Sequence, residues 1–120
     1  VASMVYQRRV VDGELDDLMH ELPAIALEGP RGVGKTATAE RRAATAFYLD
    51  DPAQRAVAEA DPKQLLSGKP PVLLDEWQLV PSVWDAVRRA VDRGAPPGSF
   101  LLTGSATPHS LRRTLVRVES

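Results

Sequence analysis

Residues 29–36 constrain this chain more than any other stretch. They read Gly29, Pro30, Arg31, Gly32, Val33, Gly34, Lys35 and Thr36, which is the pattern G-x-x-x-x-G-K-[ST]. That spacing suits a loop wrapped around a compact cluster of negative charge. Gly32 and Gly34 carry no Cβ, so the backbone can turn tightly and bring its N–H groups close to phosphate oxygens. Lys35 adds an ammonium for the β and γ oxygens, and Thr36 a hydroxyl for a magnesium ion.

The flanks supply the context that the pattern needs. Ala24-Ile25-Ala26-Leu27 is a short, wholly apolar run, as expected of a parallel strand buried on both faces. Thr36 to Ala46 is rich in Ala and lacks Gly and Pro, which predicts a helix. The positive end of that helix would face the bound anion.

At 120 residues the chain suits one small domain. Lys and Arg number 15 against 16 Asp and Glu, a formal net charge of −1. The overall field therefore gives no argument for nucleic acid, and the arginine pairs at 8–9, 41–42, 88–89 and 112–113 read as solvated faces. There is no cysteine, so disulfides, thiolate metal sites and a cysteine nucleophile are excluded. That composition fits a reducing compartment, and the cytoplasm is the expected location. No apolar run approaches membrane-spanning length. His20 and His109 lack ligand spacing.

Further along, the pattern alternates strands and helices. Residues 1–22 read as an arm and a short helix over Glu14–Leu22, and residues 23–120 as the phosphate-binding core. Phe47-Tyr48-Leu49 reads as a second strand. Asp51-Pro52 and Asp61-Pro62 each open a short helix, the second ending near Gly68. Val72-Leu73-Leu74-Asp75-Glu76 reads as an apolar strand ending in two carboxylates. Pro81 to Arg93 carries Val83, Trp84, Val87, Ala90 and Val91 on one stripe, so it reads as an amphipathic helix. Ser99–Thr103 and Thr114–Val118 complete the set of strands. This order predicts an α/β fold with a parallel sheet and helices on both faces, in three layers.

Ligands of such sheets bind at the carboxyl ends of the strands. Lys35, Thr36, Asp75, Glu76, Thr103 and Ser105 all fall there. Asp75 is placed to hold magnesium opposite Thr36, and Glu76 to orient and deprotonate an attacking water. Thr103 or Ser105 could bond the γ-phosphate or that water. Trp84 and Trp77 read as packing residues, and Gln78 as an amide reaching the phosphates, a partner or only solvent.

Three segments together resemble one group of AAA+-type ATPases: the P-loop, Leu73-Leu74-Asp75-Glu76-Trp77-Gln78 and Leu101-Leu102-Thr103-Gly104-Ser105. These are prokaryotic predicted ATPases whose AAA domain precedes a C-terminal domain of unknown function. The resemblance runs from about Tyr6 to His109. It implies a Walker A motif at Gly29–Thr36, a Walker B at Asp75 with catalytic Glu76, and a sensor near Thr103–Ser105. It implies an ASCE-type P-loop NTPase sheet in which the Thr103 strand lies between the P-loop and Walker B strands, with ATP and Mg²⁺ as ligands. Members continue into a helical lid and a C-terminal domain, so the fold is expected to be incomplete at its C-terminus. Arg112 and Arg113 are the nearest candidates for an arginine finger. The expected function is Mg²⁺-dependent ATP hydrolysis driving a conformational change in a protein partner or a second copy. The alternatives are a truncated nucleotide-binding module with little turnover, or a P-loop kinase, against which Glu76 counts.

Overall fold

The computed structural model describes residues 6–7, 12–28, 35–104 and 116–119, with backbone alone at 6–7, 12, 28, 35 and 116–119. The elements run β1 (Tyr6–Gln7), α1 (Asp12–Glu21), β2 (Ala24–Glu28), α2 (Lys35–Glu40), β3 (Thr45–Tyr48), α3 (Pro52–Ala60), α4 (Pro62–Leu65), β4 (Val72–Asp75), a 3₁₀ turn (Trp77–Leu79), α5 (Pro81–Asp92), β5 (Phe100–Gly104) and β6 (Val116–Glu119).

The strands form one six-stranded sheet in the order β1-β6-β2-β5-β4-β3. Every neighbouring pair is parallel. The expected α/β fold is therefore present, and β5, which carries Thr103, lies between β2 and β4. Tyr6–Gln7 extends the sheet by pairing with β6.

Successive side chains on a strand face opposite ways, and this alternation divides the core. Ala24, Ala26, Val72, Leu74, Phe100 and Leu102 join one cluster with Trp77, Val83, Trp84 and Val87. Ile25, Leu27, Leu73 and Leu101 join the other with Leu15 and Ala39. So α1 and α2 cover one face, and α3, α4 and α5 cover the other. Burying each such aliphatic side chain contributes about 1.5–3 kcal/mol. Sandwiching explains why β2, β4 and β5 read as unbroken apolar runs.

Local signals hold at several ends. Asp51 accepts a hydrogen bond from the Gln54 N–H at 3.1 Å, and Pro52 opens α3 behind it. Pro62 opens α4, although Asp61 makes no side-chain cap there. Gly94 takes a φ of 96° just after α5, the left-handed conformation that glycine adopts without a Cβ clash.

The helix expected over 36–46 is shorter: α2 ends at Glu40, and Thr45 and Ala46 belong to β3. Tertiary bonds outweigh the helical preference of alanine here. The Ala44 and Thr45 N–H groups both donate to Pro71 O, at 2.9 and 3.2 Å. The Thr45 hydroxyl donates to Lys69 O at 2.9 Å. Pairing with β4 thus satisfies the backbone that another helical turn would have satisfied. A second correction concerns the strand expected over 72–76. It stops at Asp75, and Glu76 turns into the left-handed region at φ 57°, ψ 47°. Of the strand expected over 114–118, residues 114 and 115 lie outside the described residues, and β6 runs to Glu119.

Candidate functional site

The parallel register sets Tyr48 beside Asp75, Asp75 beside Thr103, and Thr103 beside Leu27. One row of residues thus crosses four strands at the carboxyl edge of the sheet. β2 ends at that same edge with Glu28, and the next described element in the chain is α2, which begins at Lys35.

Asp75 is the centre of the row. Its carboxylate is only 7% exposed, and burying such a charge is costly unless donors face it. Two hydroxyls do. Thr36 Oγ1, from the first turn of α2, donates to Asp75 Oδ1 at 2.8 Å. Thr103 Oγ1, fully buried on β5, donates to the same oxygen at 2.5 Å. The Asp75 carbonyl also accepts the Leu49 N–H at 3.0 Å. Two elements distant in sequence, α2 and β5, therefore hold one carboxylate of β4.

Glu76 follows directly and is 8% exposed. A left-handed conformation at a residue with a Cβ is uncommon and costs energy. Its consequence is local: the chain breaks from β4 into the 3₁₀ turn, closed by Leu79 N–H to Glu76 O at 3.1 Å and Val80 N–H to Trp77 O at 2.9 Å. This brings the Gln78 amide back over Glu76, with Nε2 donating to Glu76 Oε1 at 3.1 Å. Trp77 is fully buried and packs on Trp84 with ring centroids 4.4 Å apart. Both tryptophans are packing residues, as their sequence positions indicated.

Tyr48 borders the site and carried no signal in the sequence beyond its place at a strand end. Its hydroxyl donates to Glu40 Oε2. That hydrogen bond is the main reason its phenol is pushed up from 10.0 to about 12; partial burial and the charges of Glu40 and Asp75 act the same way. A raised folded-state value means that the fold favours the protonated phenol. The stability from this pair is complete below pH 10 and is lost as pH rises to about 12. An alkaline titration of phenolate absorbance should show one of the two tyrosines ionising late, and Tyr48→Phe should remove that late phase. Two tyrosines titrating together near 10 would overturn the pairing.

The structure brings together Thr36, Asp75 and Thr103 by hydrogen bonds, with Glu76 next to Asp75 in the chain. Lys35 is the first residue of α2. Gly29, Pro30, Arg31, Gly32, Val33, Gly34, the Lys35 side chain, Ser105, Arg112 and Arg113 lie outside the described residues and side chains. The sequence did not reveal the Gln78 contact to Glu76, the left-handed Glu76 or the Glu40–Tyr48 pair.

The donors suit a hard cation. A buried carboxylate beside a threonine hydroxyl matches the way magnesium is bound, through one or two protein oxygens with phosphate and water completing the shell. No group of three or more His, Cys, Asp or Glu side chains gathers among the described residues. No helix among the described residues is long and apolar enough to cross a membrane.

Comparison with known proteins bears on the family of this fold. A family model described as an AAA domain matches residues 21–118. An uncharacterized protein of Mycobacterium bovis and one of Mycobacterium tuberculosis are each 34% identical to the chain over 113 residues. Each alignment covers 90% of this chain and 25% of the relative, so the chain spans about a quarter of the length of these curated relatives. No solved structure gives a significant match. With most of its length matched, from the last residue of α1 into β6, the chain belongs to the AAA domain family, whose members are nucleotide-binding modules of the AAA-ATPase type.

Proposed function

We propose that this chain binds ATP with Mg²⁺ and hydrolyses it to ADP and phosphate, coupling turnover to a conformational change in a protein partner or a second copy. The observation that carries the reading is the convergence of Thr36 and Thr103 on the buried Asp75 carboxylate. It joins the helix after residues 29–34 to the strand that ends at Asp75, the residue before Glu76. Residues 23–120 form the nucleotide-binding core in this reading, and 1–22 its arm and short helix.

Phosphoryl transfer is catalysed mainly by positioning and charge stabilisation. The loop of residues 29–34 would cradle the phosphates through the backbone N–H groups of its residues other than Pro30, and Lys35 would pair with the β and γ oxygens. Thr36 and Asp75 would hold the magnesium ion, which would supply positive charge to the phosphate oxygens. Glu76 orients the attacking water and accepts its proton on a carboxylate oxygen as the water oxygen bonds to γ-phosphorus and ADP leaves. Thr103 acts on Asp75, the group to which its hydroxyl donates. Ser105, beyond β5, contacts the γ-phosphate or the water.

The test begins with affinity. Lys35→Ala should weaken binding of a fluorescent ATP analogue by about 10- to 100-fold, the worth of one charge-assisted contact. Unchanged affinity would remove the P-loop assignment. Phosphate release by the wild-type chain at saturating ATP tests turnover. Tight binding without any release would leave a nucleotide-binding module and sink the hydrolysis reading.

A further inference from the structure

Gln78 sits two residues beyond Glu76, outside the motifs that bind phosphate and metal. Its amide nitrogen donates to Glu76 Oε1 at 3.1 Å. Its amide oxygen is buried and has no hydrogen-bond partner among the described residues. Leaving a buried acceptor unsatisfied costs stability, and an apolar side chain of the same shape would avoid that cost. The fold therefore gains little from an amide here, whereas the Glu76 carboxylate gains a donor.

The amide also sits close against Gly104. A Cβ built on Gly104 would lie 2.4 Å from Gln78 Oε1 and 2.9 Å from Trp77 Nε1. Only glycine leaves that space to the amide. Trp77 cannot yield easily, since it is fully buried and packed on Trp84. Gly104 follows Thr103, whose hydroxyl holds Asp75. One strand end thus supports both carboxylates, Asp75 directly through Thr103 and Glu76 indirectly through the space that Gly104 leaves for Gln78.

We propose that Gln78 is a positioning residue for the catalytic base: its side-chain amide holds the Glu76 carboxylate in place, and Gly104 leaves the space that the amide occupies. This rests on the reading of Glu76 as the base of ATP hydrolysis. The left-handed turn at Glu76 has a role in the same arrangement, because it folds the 3₁₀ turn back and lets position 78 reach position 76.

Two measurements test the proposal. Gln78→Met keeps the volume and removes both polar atoms. It should lower kcat for phosphate release by about 10- to 100-fold, the loss expected from a misplaced base. KM for ATP and analogue affinity should stay within about twofold, and the melting temperature should not fall. An unchanged kcat overturns the proposal, and so does a joint loss of kcat, affinity and melting temperature, which marks a merely structural role. The second measurement needs no turnover. The Gln78 side-chain NH₂ resonances, identified by their loss in Gln78→Met, should move in both Glu76→Gln and Gly104→Ala. Resonances that stay in place in those variants overturn the contact. If they move while the wild-type chain releases no phosphate, the hydrolysis reading fails and the hold of Gln78 on Glu76 stands.

Discussion

Glu76→Gln should reduce phosphate release by about 10²- to 10⁴-fold, the usual contribution of a positioned general base, while ATP stays bound. The substitution removes one charge and little else. Gln has the same length, takes the left-handed backbone at the same cost as Glu, and still offers Gln78 an acceptor oxygen. The fold and the phosphate contacts proposed for residues 29–36 should therefore be retained. The loss should appear in kcat, with KM for ATP nearly unchanged. Single-turnover phosphate release and equilibrium binding of a fluorescent analogue separate the two effects. Full activity in this variant would mean that another group takes the proton from water.

The largest effect on stability is expected at Asp75. Asp75→Ala should destabilise the chain by about 2–4 kcal/mol, because it removes the acceptor of two hydroxyls and leaves Thr103 buried without a partner. Removing a buried carboxylate also relieves its desolvation, which acts in the other direction. The two hydroxyl donors and the full burial of Thr103 make the loss the greater effect. A double-mutant cycle isolates the Thr103 part. Thr103→Val alone should cost about 1.5–3 kcal/mol, the value of a hydrogen bond to a charged group. In the Asp75→Ala background the same change should cost little or even stabilise, since it removes an orphaned hydroxyl. Urea unfolding of the four chains gives the coupling energy. A coupling near zero would mean that the Thr103–Asp75 bond contributes nothing in solution.

The sheet was legible because burial on both faces leaves a plain mark. Ala24-Ile25-Ala26-Leu27, Val72-Leu73-Leu74 and Phe100-Leu101-Leu102 have no polar alternation, and each became a central or near-central strand. The stripe of α5 was equally plain, with Val83, Trp84 and Val87 buried. The end of α2 was not legible. Alanine favours a helix, but the Pro71 carbonyl bound the Ala44 N–H and pairing with β4 took Thr45 and Ala46 into the sheet. A contact between residues 44 and 71 leaves no local trace in composition.

The same division runs through the site. Residues 29–36 stand out in the sequence as a phosphate-loop pattern, and the pair Asp75-Glu76 becomes a candidate metal and base position because that pattern lies upstream of its strand. Strand ends in a parallel sheet gather at one edge, so their approximate assembly also followed from the sequence. Which hydroxyl would meet which carboxylate did not. Thr36 and Thr103 are 39 and 28 residues from Asp75 and converge on one oxygen only because β5 lies between β2 and β4. The left-handed Glu76, the Gln78 amide that returns to it and the Cβ-free space at Gly104 likewise depend on packing. The chemical groups of the site are set by residue type and spacing, which are local. Their mutual distances are set by strand order and core packing, which no local stretch of sequence contains.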